Sequence, residues 1–345
     1  MPEPTHQSGG ARSVPHLAAR AEDAFHAFRE RWGRRRGLVP RVIPFAGYGS
    51  AGWIRVLARV VLAKPGRPSG DRVQGARGWR SFTAIPLTHG DVTVVAGGVE
   101  HALTADRGGV VDARLSVDLP PGWNTIRIAA EGEEPIEAEV FVIDPAARFG
   151  IVSDVDDTVM VTALPRPFLA AWNTFVLNEH ARRPVPGMPV LYERLTRQHP
   201  GTPVIYLSTG AWNVAPTLTR FLGRNLYPRG ALLLTDWGPT HDRWFRSGQA
   251  HKRGSLRRLA EELPNVRWLL VGDDGQHDEE LYAEFAREHP ESVAAIAIRQ
   301  LTPGEAVLAG GRSTAEERGT AAQWRYAPDG AGLSEQLGEL GLLRR

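Results

Sequence analysis

The sequence predicts an antiparallel β-sandwich-like region followed by a doubly wound α/β region on a parallel sheet, with a helix ahead of both. Three observations predict it. Short β-like runs split by Gly/Pro turns fill residues 41–143, at the regular spacing of a sandwich. From Arg148 onward, short apolar runs without alternation take turns with helical patterns, as buried parallel strands and their crossover helices do. Before both, apolar residues recur at helical spacing. On this reading the chain divides at 1–37, 38–146 and 147–345.

Residues 1–13 read as a disordered leader. Leu17, Ala18, Ala21, Phe25 and Phe28 then form the stripe of a helix over Pro15–Arg36, which ends in the basic run Arg31-Trp32-Gly33-Arg34-Arg35-Arg36. Such a run is most often a solvated helix end, and such a stripe most often packs on the next domain. The same combination is what a helix lying in an anionic membrane surface carries. The β region shows its runs at Trp53–Leu62, Val92–Val95, Val110–Leu119, Asn124–Ala130 and Glu137–Ile143. Just before it, Gly47-Tyr48-Gly49-Ser50-Ala51-Gly52 matches GxGxxG, with Asp71 where a ribose-binding acid would stand. That fingerprint needs a helix next. The residues from Trp53 are β-rich instead, so the glycines are read as a hairpin turn.

In the α/β region, strands are expected at Phe149–Ser153, Val204–Ser208, Ala231–Leu234, Trp268–Gly272 and Ala294–Ile298. Helices are expected at Phe168–Arg182, Pro189–His199, Ala215–Arg224, Lys252–Leu263 and Asp278–His289. Little chain is left between Asp154 and Ser208 for a cap. Sheets of this kind bind ligands past the carboxyl ends of their strands. There stand Asp154-Val155-Asp156-Asp157-Thr158, Ser208-Thr209-Gly210, Thr235-Asp236 and Asp273-Asp274-Gly275, with Lys252 opening a helix nearby.

Composition narrows the chemistry. Hydrophobic residues make up 42% and charged residues 23% of 345 residues, ordinary for a soluble globular protein. No run approaches the roughly 18 apolar residues of a membrane span. Cysteine is absent, which excludes disulfides, thiolate catalysis and cysteine-held metals, and a cytoplasmic location follows by default. Lys64 and Lys252 are the only lysines among 41 basic residues, and the net charge is only +2. No nucleic-acid partner is expected. There is no GxxxxGK[ST], no GxSxG and no HExxH, so a P-loop, an α/β-hydrolase serine and a zincin site are set aside. An EF-hand fails as well, with Val159 where its glycine belongs and Pro165 where its final glutamate belongs.

Carboxylates two apart at a strand end can divide phosphoryl transfer between them. Asp154 is placed to attack phosphorus and Asp156 to act as general acid and base. Oxygen ligands from Asp154, Asp273 and Asp278, with the Asp156 main-chain carbonyl, suit Mg²⁺. Ser208 offers a hydrogen bond to a phosphoryl oxygen, and Lys252 a neutralising charge.

The block Asp154–Thr158, Ser208, Lys252 and Gly272-Asp273-x4-Asp278 resembles the four motifs of the haloacid dehalogenase-like superfamily, in order. Ser153–Val161, Trp172-Asn173-Thr174-Phe175, Arg183-Pro184-Val185-Pro186-Gly187-Met188, Tyr206–Trp212, His251-Lys252 and Gly272–Tyr282 resemble the catalytic domain of the actin-patch-protein type of phosphatidate phosphatase, similar to the lipins. The resemblance covers about residues 148–345, and more weakly Tyr48-Gly49 and Arg59-Val60. It implies Mg²⁺-dependent removal of phosphate from phosphatidate, with an aspartyl-phosphate on Asp154. Asp156, Ser208 and Lys252 would join the nucleophile as catalytic groups. Thr158, Thr209 and Gly210 would bind phosphate, and Asp154, Asp156, Asp273 and Asp278 the metal. A phosphorylated lipid is then the expected partner, with peripheral contact to an anionic membrane. Asp274 departs from the pattern, where a small hydroxyl residue is expected. His251 and His277 are read as neighbours of the site, and Trp172, Trp212 and Trp237 as residues that either pack in the core or line an acyl-chain groove. The rival functions are a phosphatase of soluble or protein-bound phosphate, and an inactive scaffold that only binds a partner.

Overall fold

The computed structural model describes residues 27–65, 85–161, 183–235, 241–275, 277–308 and 322–344. The expected leader, most of the N-terminal helix, the helix Phe168–Arg182, Asp71, Trp172 and Trp237 lie outside them. Residues 27–35 form helix α1.

The β region is one sheet. Its strands are β1 (Val39–Ser50), β2 (Trp53–Ala63), β3 (Ile85–Pro86), β4 (Asp91–Ala96), β5 (Val99–Thr104), β6 (Val110–Leu115), β7 (Gly122–Ala130) and β8 (Ile136–Ile143). They are ordered β3-β2-β1-β8-β7-β4-β5, with β6 on the free edge of β2. The sheet curls until β5 meets β6, so two β layers face each other around Ile54, Val56, Val60, Val94, Ile126, Ile128 and Val140. The sandwich expectation needs two corrections. The layers are halves of one open, curled sheet, and β1 pairs β8 in parallel. That pair joins the first strand to the last and covers an edge β1 would otherwise expose.

The GxGxxG stretch is a turn. Ser50 pairs Trp53 across Ala51-Gly52, and Gly52 holds φ 78°, a conformation that favours glycine. A Cβ on Gly47 would stand 2.3 Å from the Arg55 carbonyl oxygen. Glycine is there because β2 crosses at backbone contact.

The second sheet is parallel throughout. After β9 (Phe149–Asp154) comes a small ladder of β10 (Met160–Val161) with β11 (Arg183–Pro184). The sheet then takes β12 (Val204–Ala211), β13 (Ala231–Thr235), β14 (Arg267–Asp273), β15 (Val293–Arg299) and β16 (Trp324–Ala327), in the order β13-β12-β9-β14-β15-β16. Helices α2 (Met188–Gln198), α3 (Ala215–Arg224), α4 (His241–Glu262), α5 (Asp278–Glu288), α6 (Pro303–Leu308) and α7 (Gly330–Glu339) accompany it. Each expected parallel strand is present, and β16, α6 and α7 are additions; α4 begins at His241, so Lys252, expected to open its helix, stands in the middle of it. Trp324–Tyr326 are only part-buried, so that edge strand lacks the continuous apolar run that betrays the others. From β9 the chain builds outward to β12 and β13 on one side and to β14, β15 and β16 on the other. The order reverses at β9, and a crevice opens past its carboxyl end.

The two sheets meet along α4, β13 and the turn after β12. Arg55 binds Asp112 at 2.6 Å and also Glu262, and Arg258 reaches Asp112 at 2.8 Å. The Tyr48 hydroxyl donates to Glu262 at 2.9 Å. Phe45 stacks on Trp212 with ring centroids 4.9 Å apart. Trp212 is buried in this core contact, which removes it as a groove liner.

Candidate functional site

Four chain segments converge past the end of β9. Asp154 is its last residue, and Asp273 is the last residue of the neighbouring β14. Asp278 opens α5, and Lys252 projects from α4. The Lys252 ammonium donates to Asp154 Oδ1 at 2.6 Å and to Asp278 Oδ1 at 2.7 Å. Asp278 Oδ2 accepts the Asp273 N–H at 3.4 Å, and Asp273 Oδ1 accepts the Gly275 N–H at 2.7 Å. Glycine precedes Asp273 for a reason of space, since a Cβ on Gly272 would come within 2.7 Å of Asp278 Oδ2.

All four ionisable groups are buried. Carboxylate oxygens of Asp154, Asp273 and Asp278 lie within 4.8 Å of one another, with a single ammonium between them. Burial raises the Asp154 carboxyl well above its ordinary range; Lys252 opposes this, and Asp278 and Asp156 add to it. Asp273 is raised by burial and then by Asp278 and Asp154. Burial alone would depress Lys252, but Asp154 and Asp278 outweigh it and hold the ammonium above its ordinary value. The surplus negative charge is the electrostatic signature of a cation site.

Behind Asp154 runs a buried relay. The Tyr192 hydroxyl donates to Ser153 Oγ at 2.5 Å, and Ser153 Oγ donates to the Asp154 carbonyl at 2.6 Å. On the open side, Ser208 Oγ donates to Asp156 Oδ2 at 3.3 Å and accepts the Gly210 N–H at 3.0 Å. Pairing between β12 and β13 skips from Leu207 to Ala211, which frees Ser208-Thr209-Gly210 from the ladder. The carbonyls of Thr209 and Gly210 are held by Thr235 Oγ1 at 2.8 and 3.2 Å. Thr158 is fully buried, and its hydroxyl has no hydrogen-bond partner among the described residues.

The expected residues therefore assemble, with differences at the margin. Asp274 stands outside the carboxylate triad; its Oδ1 accepts the Leu301 N–H at 2.8 Å. His251 bonds the Leu233 backbone, and burial keeps its imidazole below the ordinary pKa. His277 precedes α5, and its carbonyl takes the Leu281 N–H at 3.0 Å.

Sequence reasoning missed Arg299. This buried guanidinium donates from Nη1 to the Asp157 carbonyl at 2.7 Å, from Nη2 to Glu305 at 2.7 Å and from Nε to the Pro328 carbonyl at 3.3 Å. Asp157 holds φ 58°, so its carbonyl turns out of the strand direction. The Arg299 carbonyl in turn accepts the Asp274 N–H at 2.9 Å. One residue thus braces both the loop after β9 and the acidic loop after β14. The only sequence signal was an arginine ending an apolar strand, common in so arginine-rich a chain.

Residues 149–300 match the family model "Phosphatidate phosphatase APP1, catalytic domain". The match is to this part of the chain, which is similar to that catalytic domain. The matched span begins at β9 and ends just past β15, so it encloses every member of the Asp154–Lys252–Asp273–Asp278 cluster. Among curated relatives of the APP1-type domain, Phosphatidate phosphatase APP1 of Saccharomyces cerevisiae is 24% identical over 185 residues, covering 52% of this chain and 31% of that protein. An uncharacterised protein of Schizosaccharomyces pombe is 27% identical over 165 residues, covering 48% of this chain and 27% of that one. The chain thus spans less than a third of the length of either relative. A carbohydrate acetylesterase from Xanthomonas citri aligns over 79% of this chain and 73% of its own, at 10% identity and a TM-score of 0.28, too low for a shared fold.

Proposed function

We propose that this chain is a Mg²⁺-dependent phosphate monoester hydrolase that takes phosphatidate to diacylglycerol and phosphate. The catalytic unit is taken as residues 147–345, of the haloacid dehalogenase type. The observation that carries the reading is the seating of Asp154. It is a buried strand-end carboxylate at the sheet's switch point, held by the Lys252 ammonium at 2.6 Å inside an acidic cluster.

The donor set suits a hard divalent cation. Three buried carboxylates face one ammonium, and oxygen ligands alone are offered, as Mg²⁺ prefers. Asp154, Asp273 and Asp278 would hold it, where it supplies charge neutralisation for an incoming phosphate and polarises the phosphoryl group.

The residues divide the rest of the work. An Asp154 oxygen attacks phosphorus as the bond from phosphorus to the lipid oxygen breaks. Asp156, protonated, gives its proton to the departing alkoxide. As carboxylate, Asp156 then takes a proton from the water that attacks phosphorus and frees Asp154. Ser208 orients Asp156, and with the Thr209 and Gly210 backbone it lies where phosphoryl oxygens need donors. The Thr158 hydroxyl, buried and without a partner among the described residues, is a further candidate donor. Lys252 favours the ionised form of Asp154 against its burial and offsets the charge that gathers on the phosphoryl group.

The test is hydrolysis of a fluorogenic phosphate ester and of phosphatidate in detergent micelles, with Mg²⁺ and with EDTA. Both should be cleaved only with metal present, and Asp154→Asn should lose at least about 10³-fold in kcat. Near-normal turnover in Asp154→Asn overturns the mechanism. Cleavage of soluble esters without phosphatidate overturns the lipid assignment alone, and no cleavage by wild type leaves an inactive scaffold.

A further inference from the structure

We infer that the exposed face of α1 is a docking surface for an anionic lipid bilayer. The inference extends the lipid-substrate reading above but rests on different residues. Phe28, Arg31, Trp32 and Arg35 fall at helical spacing i, i+3, i+4 and i+7, so they share one face. All four are exposed, with Phe28 at 60% and Trp32 at 44%.

The opposite side explains why that face is turned outward. Gly33 is the one buried residue of 27–37. A Cβ there would come within 3.0 Å of both Leu62 and Ile85 side-chain carbons. Glycine lets the helix sit directly on β2 and β3, and the aromatic residues therefore cannot pack on the β-sheet. Arg36 lies over the Trp32 ring at 3.8 Å, and Glu30, paired with Arg34 at 3.0 Å, is the only acid among the described helix residues. Two aromatics rimmed by exposed Arg31, Arg34, Arg35 and Arg36 make a surface of one charge sign around an apolar centre. That is the chemistry of insertion at the level of anionic headgroups.

Position supports the same occupant. Residues 55 and 57 of β2 lie level with successive turns of α4: Arg55 meets Glu262, and Asp112, the partner of Leu57, meets Arg258. Travelling up β2 therefore means travelling back along α4 toward Lys252. From the Arg258 pair, Lys252 is about 9 Å along the helix, and Leu62, under Gly33, about 17 Å along the strand. The helix face and the acidic cluster lie on the same side of that ion pair.

The experiment uses the full chain with Mg²⁺ and vesicles of phosphatidylcholine with or without phosphatidylserine, which carries no phosphate monoester for the catalytic site. Wild type should co-sediment with the anionic vesicles only, and high salt should release it. Phe28→Ser/Trp32→Ser should weaken partitioning at least about tenfold and slow hydrolysis of vesicle phosphatidate, while turnover of a soluble ester stays unchanged. Undiminished vesicle binding by that variant, or wild type that ignores anionic vesicles, overturns the proposal. A fall in the chain's mass in solution caused by the same substitutions, without a change in vesicle binding, assigns the face to self-association and also overturns it. Loss of soluble-ester turnover in wild type would sink the phosphatase reading and leave vesicle binding standing.

Discussion

Lys252 meets two carboxylates through single-point contacts from a compact ammonium, 2.6 Å to Asp154 and 2.7 Å to Asp278. A guanidinium is wider and planar, and it presents donors in a fixed fork rather than a point. It would push the two carboxylates apart or rise out of the pocket toward the substrate. In a chain that otherwise uses arginine, the exposed Lys64 just past β2 is the natural control. Lys252→Arg should lower kcat by about 10²-fold or more, and Lys64→Arg should leave it unchanged. Steady-state kinetics on a soluble ester checks both, and equal activity in the two variants would refute the fit argument.

Among the elements, the loops after β9 and β14 are fixed through β15. Arg299 holds the Asp157 carbonyl from its side chain, while its own carbonyl and the Leu301 N–H hold Asp274. Asp156 sits between Asp154 and this anchored carbonyl, so the anchor sets where the proposed general acid stands. Glu305 neutralises the guanidinium at 2.7 Å. Arg299→Ala should lower kcat about tenfold or more with KM little changed, and added guanidinium ion should restore part of the loss. Arg299→Lys should be restored poorly, because an ammonium reaches one partner where the fork reaches three. A variant that loses KM and kcat together and gains nothing from guanidinium would make Arg299 a folding residue only.

At the scale of the whole molecule, the β-sheet and the parallel sheet are joined by a polar clamp. Asp112 receives Arg55 and Arg258 from opposite sides of the junction, and Glu262 receives Arg55 and Tyr48. Burial would raise Asp112, but Arg258 and Arg55 outweigh it and hold the carboxyl below its ordinary value of 3.8. A depressed folded-state pKa stabilises the fold above the ordinary value, and that contribution fades as pH falls through the folded one. Asp112→Asn should therefore cost about 1–3 kcal/mol near neutral pH, read as a lowered Tm. The gap to wild type should narrow as pH drops below about 4. A gap that stays constant from neutral pH to about 3 would mean the clamp is not electrostatic.

Residues 149–300 were legible from local pattern because buried parallel strands are continuous apolar runs and their ends must carry the polar groups. Asp154, Ser208 and Asp273 could be named from that rule, Lys252 and Asp278 from the motif pattern around them, and the glycines at 47–52 could be denied a nucleotide from the β-rich run after them. Other features depend on which distant segments meet. The parallel β1–β8 pair, the Phe45–Trp212 stack, the Tyr192–Ser153 relay and the Arg299 brace each join residues whose own neighbourhoods look ordinary. The helical spacing of Phe28 and Trp32 likewise defined a face but not what covers it, and only the seating of Gly33 on Leu62 and Ile85 turned that face outward. Periodicity reports the local period of burial, set by the backbone geometry of a helix or strand. The partner across the gap is chosen by long-range packing, which no single segment of the chain encodes.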